Sequence, residues 1–280
     1  MKNFPSEAIF AIPEVTGVKP GEIVLIHGLW MTPLSWRDWA TRLEARGYVV
    51  HTPAWPRMDA SIEELRRAPD VVGGLGIEEI TDHHAQFVTS LDSEPVIIGH
   101  SLGGLVTQLL LDRGIGSAGV AVHPGQTKGV WGLPPVQLRA AWPLIGNPFN
   151  LRKGVPLTAR QFHYGFASAL DETGARAAWQ TFHVPAPARP LFQAALANII
   201  PGAPTAVDYR KPDRAPLLFL SGSLDRTVPA SVVRENHRRY KSGCVELKEY
   251  AGRSHFTVGE RGWETVVDDT IDWVERKLGW

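Results

Sequence analysis

Two hydrophobic patterns alternate along the chain: short, nearly unbroken apolar runs, and longer stretches whose apolar positions recur every three to four residues. Glu22–His27 (EIVLIH) is a run of the kind buried on both faces of a parallel sheet. After it, Trp36, Trp39, Ala40 and Leu43 form the stripe of an amphipathic helix, which Ser35 is expected to cap together with Asp38 and Gly47 to end. Tyr48–His51 reads as a second strand, stopped by Pro53 and Pro56, and 57–76 as a loop with a helical turn at Ile62–Arg67. Ile77, Ile80, His84, Phe87, Val88 and Leu91 mark the next helix, Pro95–Ile98 a strand, Leu102–Arg113 a helix ended by Gly114, and Ala118–Val122 a strand. Strands alternating with helices in this way imply right-handed βαβ units. The expected fold class is therefore α/β, with a mostly parallel, doubly wound sheet flanked by helices.

The rhythm breaks at His123. Segment 124–205 holds 11 of the 22 prolines and shows helix-like patches but no convincing strand. Alternation resumes at Leu217–Ser221 and Val245–Tyr250, followed by a long helix with Trp263, Val266, Val267, Thr270, Ile271 and Val274 on one face. The expected organisation is a core built from 1–123 and 206–280, with a mainly helical cap, 124–205, inserted after the strand ending near Val122. No internal repeat or low-complexity tract is present.

Composition narrows the class. Lys plus Arg equals Asp plus Glu at 29 each, which argues against a nucleic-acid binder. The single cysteine, Cys244, cannot form an internal disulfide, and no Cys/His spacing suggests a metal site; His83-His84 has no partner in pattern. The amino terminus, interrupted by Pro5, Glu7 and Pro13, does not read as a secretory signal, and no window is long and apolar enough for an integral membrane segment. A cytoplasmic location is expected; the oligomeric state is not legible. Charge is unevenly spread: Lys128, Arg139, Arg152, Lys153, Arg160, Arg176 and Arg189 face only Asp171 and Glu172 within 124–205. Two readings stay open, a solvated face or an insert that draws anionic substrates or lipid headgroups toward a site beneath it.

The chemistry-bearing residues fall where strands end. Gly99-His100-Ser101-Leu102-Gly103 reads G-x-S-x-G at a strand-to-helix passage, where a sharp turn lifts the serine oxygen clear of the sheet and a Cβ on either glycine would collide with its neighbours. A serine hydroxyl needs a base, and the base an orienting carboxylate. Asp225 follows the strand Leu217–Ser221, and His255 follows Val245–Tyr250, so three candidates meet at one sheet edge. The position after Val122 offers His123, Pro124 and Gly125 but no carboxylate. For the oxyanion, the amide of Leu102 is one expected donor, and that of Leu29 or equally Trp30, in the loop after the first strand, the other. His100 is expected to pack beside the site, and it and Trp30 are also candidates for substrate contact. In the insert, Trp131, Trp142, His163 and Tyr164 are candidates for substrate contact, or equally for the core of the cap, as are Trp179 and His183.

The H-G-L-W loop from His27, G-H-S-L-G-G from Gly99, D-R-T-V-P from Asp225 and S-H-F from Ser254 resemble, in this order and spacing, the α/β-hydrolase superfamily, and within it small bacterial serine esterases, lipases and haloperoxidase-like members. The resemblance covers 22–123 and 206–280. Serine in place of an aspartate nucleophile sets the chain apart from epoxide hydrolases and dehalogenases, and the region before Glu22 is short for the two leading strands of the full eight-stranded sheet. What the resemblance implies is an α/β-hydrolase fold and a serine hydrolase, without cofactor or metal, cleaving a small-molecule carboxylic ester through an acyl-enzyme. Alternatives are the same triad used for perhydrolysis, amide, lactone or C–C bond hydrolysis, or a ligand-binding receptor on this fold.

Overall fold

A computed structural model describes residues 21–280; the reading of the amino terminus made above lies outside them. Strands β1 (Glu22–Ile26), β2 (Val49–His51), β3 (Val96–His100), β4 (Ala118–Val122), β7 (Leu217–Gly222) and β8 (Val245–Tyr250) form one all-parallel sheet in the order β2-β1-β3-β4-β7-β8. β3, β4 and β7 are buried along their whole length, which is why their sequences run apolar without alternation. The order turns back between β1 and β3. That is the switch point at which an open α/β sheet offers a crevice beyond its carboxyl ends.

Helices α1 (Arg37–Ala45), α2 (Ile62–Arg67), α3 (Ile77–Thr89), α4 (Leu102–Asp112), α9 (Ala230–Arg239) and α10 (Trp263–Leu278) accompany these strands. α4 is buried from Leu102 to Leu111, as the central helix should be. Arg42 of α1 grips Asp268 of α10 through two hydrogen bonds of 2.7 and 2.6 Å. One expectation fails locally: Ser35 and Asp38 do not cap α1. Ser35 lies inside a 3-10 turn, Pro33–Trp36, that Thr32 caps; its hydroxyl donates to the Thr32 carbonyl, and Asp38 pairs with Arg37.

Between β4 and β7 the chain folds into α5 (Pro135–Ile145), α6 (Ala159–Gly165), α7 (Glu172–Phe182) and α8 (Arg189–Leu196). Contrary to expectation it also contains strands, β5 (Gly154–Val155) and β6 (Ala186–Pro187), paired antiparallel. Each is two residues long, too short for a period-two pattern to show.

Candidate active site

The sheet register fixes the site. His100 pairs with Val122, Val122 with Leu220, and Gly222 with Tyr250, so the residues that follow these strands gather at one edge. Ser101 turns from β3 into α4 at φ 55° and ψ −118°, a backbone conformation that a non-glycine residue rarely adopts. Hydrogen bonds hold it there: its amide donates to the Val122 carbonyl at 2.9 Å, and its carbonyl accepts from Gly125 at 2.8 Å. The turn is closed by contact. A Cβ on Gly99 would lie 2.1 Å from the Gly103 carbonyl oxygen, and one on Gly103 2.2 Å from that of Ile26.

Asp225, Ser101 and His255 are all buried. The Asp225 carboxylate accepts at Oδ1 from the amides of Thr227 and Val228, each at 2.8 Å. At Oδ2 it accepts two imidazole N–H groups, from His255 Nδ1 at 2.7 Å and from His123 Nδ1 at 2.6 Å. Burial by itself would push this carboxyl up, but His255, with the bond from His123, outweighs it and holds the group below the usual carboxylate range. With both Nδ1 atoms donating, each neutral ring keeps its lone pair on Nε2. Both Nε2 atoms are buried without a hydrogen-bond partner, so the link from His255 to the Ser101 hydroxyl is not formed here. Phe166 packs edge-on against the His255 ring at 4.7 Å, and His100 Nε2 donates to the His255 carbonyl at 2.8 Å.

His123 is the residue that the sequence reading passed over. Its position, one step beyond β4 at the edge that holds Ser101, was the available signal. It too has positive φ, at 47°, and a Cβ on Gly222 would lie 2.7 Å from its Cε1. His123, Asp225 and His255 also bring ligand-type atoms within 4.8 Å of one another. Their Nδ1 atoms are engaged in hydrogen bonds to the carboxylate, which account for that closeness without a metal.

Ser101 opens into a cavity of about 250 Å³. Leu29, Trp30 and Leu102 line it from the core, and α5 and α8 wall it from the insert, with Trp131, Leu133 and Ile199 at its rim. The lining contains no charged side chain. Among the described residues the amides of Leu29 and Leu102 carry no hydrogen bond. Trp30 Nε1 donates to the Val155 carbonyl, tying the loop after β1 to the insert.

The remaining candidates lie elsewhere. His100 sits behind the site; Trp142 and Tyr164 face a neighbouring hollow; His163 bonds the Leu170 carbonyl. None of these four lines the Ser101 cavity. α5 lies between the cavity and that hollow.

The chain is similar to solved structures over nearly its whole length. A pyrethroid hydrolase from Sphingobium faniae shows 18% identity and a TM-score of 0.65, with 93% of this chain and 99% of that one covered. A monoacylglycerol lipase from Paleococcus ferrophilus shows 20% identity and a TM-score of 0.60, covering 91% and 95%. Tomato methylketone synthase I, complexed with 2-tridecanone, shows 13% and 0.68, covering 92% and 99%. At such identities these likenesses speak for the fold. Residues 23–269 match the model of the alpha/beta hydrolase family, and among the described residues no helix is long and apolar enough to cross a membrane. On that match, and on the parallel sheet and its strained turn, the chain belongs to the alpha/beta hydrolase family and is a hydrolase.

Proposed function

We propose that this hydrolase cleaves an uncharged carboxylic ester through an acyl-enzyme intermediate. The observation that carries the reading is the Asp225–His255 pair, set at the same sheet edge as a strained serine that faces a pocket without charge. Ser101 Oγ attacks the ester carbonyl while His255 Nε2 takes its proton. Asp225, held ionised and aimed by His123, keeps His255 in the tautomer whose Nε2 is free. The amides of Leu29 and Leu102 receive the developing oxyanion. The imidazolium then protonates the departing alcohol, and a water activated by the same nitrogen releases the acid. Catalytic hydrogen bonds often tighten only once substrate is bound, which fits the open gap between Nε2 and the serine. Several similar structures bear ester-cleaving names, a methylesterase from Arabidopsis among them.

The lining also bears on substrate charge. A carboxylate carried into this pocket would be desolvated without a partner, at a cost of roughly several kcal/mol. A neutral alkanoate p-nitrophenyl ester should thus exceed its ω-carboxylated counterpart in kcat/KM by at least about 100-fold. A fluorophosphonate should label Ser101, and Ser101→Ala should lose labelling and ester turnover together. Labelling without turnover of any ester would point to a different bond or to a ligand-binding role. Undiminished turnover by Ser101→Ala would remove the proposal.

A further inference from the structure

Ten of the fourteen large hydrophobic side chains left exposed among the described residues belong to 124–205. Most of them lie on one helix or beside it. Trp131, Leu133 and Ile199 rim the Ser101 pocket on one side of α5. Leu138 and Trp142, one turn apart on α5, face the hollow on its other side, with Ala140 lining both spaces. Phe149, 80% exposed, sits in the turn that the Asn150 amide ties to the Pro143 and Leu144 carbonyls of α5.

The hollow carries charge of one sign. Arg139 and Arg160 line it, and the guanidiniums of Arg139 and Arg226 lie 4.0 and 4.9 Å from the centre of the Tyr164 ring. No carboxylate lines the hollow, and among the described residues none of the three arginines forms an ion pair. The ring offsets part of their mutual repulsion. An oxyanion held between the guanidinium forks would offset the rest.

We infer that this face of the insert docks on an anionic lipid surface, with headgroup phosphates in the arginine hollow and Trp142, Phe149 and their apolar neighbours entering the layer. Apolar and aromatic side chains beside unpaired arginines form the combination that holds a protein in a membrane interface without spanning it. A second copy of the chain fits poorly. A two-fold contact sets a patch against itself, and this patch has no lining carboxylate to pair with its own arginines. The Ser101 pocket and the hollow flank the same helix and share Ala140 in their linings, so docking there would bring the pocket rim close to the layer and to an ester dissolved in it. That last step rests on the proposed ester hydrolysis; the docking does not.

Cosedimentation of the full chain with vesicles tests it. Phosphatidylcholine vesicles containing phosphatidylglycerol should bind the chain, and pure phosphatidylcholine should bind it far more weakly. Binding should fall as salt shortens the screening length from ~30 Å at ~0.01 M toward ~3 Å at ~1 M. Each cation at such a surface contributes roughly fivefold, so Arg139→Gln with Arg160→Gln should weaken binding about 25-fold. Trp142→Ser with Phe149→Ser should also weaken it, by at least tenfold. Both double variants should hydrolyse a dissolved short-chain ester at the wild-type rate, which reports an intact fold, and lose rate on a vesicle-borne ester. Ser101→Ala should bind vesicles like the wild type, so failure of the ester reading and failure of the docking are separable. Equal binding to neutral and anionic vesicles, or unchanged binding by the arginine variant, would overturn the inference. So would displacement by millimolar inorganic phosphate, which marks a small-anion site, or a dimer that the same substitutions dissolve.

Discussion

At the scale of single residues, one carboxylate oxygen serves two histidines. Asp225 Oδ2 accepts from both His123 and His255, so the negative charge available to His255 is divided. Removing the His123 donor leaves Oδ2 with one partner and the carboxylate less firmly aimed at His255. In His123→Ala kcat/KM for a dissolved ester should therefore fall about tenfold, a fraction of the ~1.5–3 kcal/mol of a hydrogen bond to a charged group. His123→Asn is the informative partner: its Nδ2 can donate where the imidazole Nδ1 did, and asparagine tolerates the positive φ of 47°. It should restore most of the activity, which a residue that only fills space would not require. Unchanged kcat/KM in His123→Ala would make the residue a mere filler. The candidate site was legible in the sequence as far as each residue could be read from its own strand end: Ser101, Asp225 and His255 each follow one. The second donor was legible only as a position, His123 one step beyond β4; that its Nδ1 meets Asp225 depends on the pairing of β4 with β7.

At the scale of elements, α4 packs directly on the strands, and small residues set the distance. Gly103 has no room: its Cβ would stand 2.2 and 2.7 Å from the carbonyl oxygens of Ile26 and His27, both backbone atoms that cannot swing aside. Gly103→Ala should cost about 3 kcal/mol or more in urea unfolding, the upper range for overpacking, and should displace the Leu102 amide from its place over the pocket. Gly125→Ala, whose Cβ would meet the Leu105 side chain at 3.4 Å and the Ser101 carbonyl oxygen at 3.7 Å, both ordinary contacts, should stay within about 0.5 kcal/mol and serves as control. Equal stabilities would mean that α4 is free to shift. The same contacts explain which elements could be read from sequence. β1, β3, β4 and β7 announce themselves because burial on both faces makes their sequences continuously apolar. The paired two-residue strands of the insert do not, and neither do the sides of α5, because α5 has apolar residues toward both the Ser101 cavity and the solvent-facing hollow. A helix that is apolar on two sides gives its length away but not its orientation.

For the whole molecule, the interior holds several histidines that must stay neutral. His27 and His183 are lowered to about 3 and His84 to about 4, in each case chiefly by burial; burial and the neighbouring His255 and His123 hold His100 well below its ordinary value. Geometry agrees with the direction. His27 Nε2 accepts from the Trp55 amide and His183 Nε2 from the Leu157 amide, and a protonated nitrogen could accept from neither. In the unfolded chain all four take a proton near 6.5, so below that pH the unfolded state binds more protons and stability rises with pH. Each group contributes a slope of about 1.4 kcal/mol per pH unit, so four together approach about 5 kcal/mol per unit. The loss should begin as pH falls through 6.5 and steepen to about pH 4, where His84 starts to protonate in the folded state. Asp225, held low when folded, adds a further loss of the same sign below 3.8. A domain of this kind has only about 5–15 kcal/mol in hand, so unfolding is expected close to pH 5. Urea unfolding at intervals from pH 7.5 to 5 would measure the slope. His84→Leu, which removes one such proton site together with a buried, unpartnered Nε2, should lower it by about one proton while costing little at pH 7.5. A slope under one proton in the wild type would mean that these four rings take up protons without unfolding the chain.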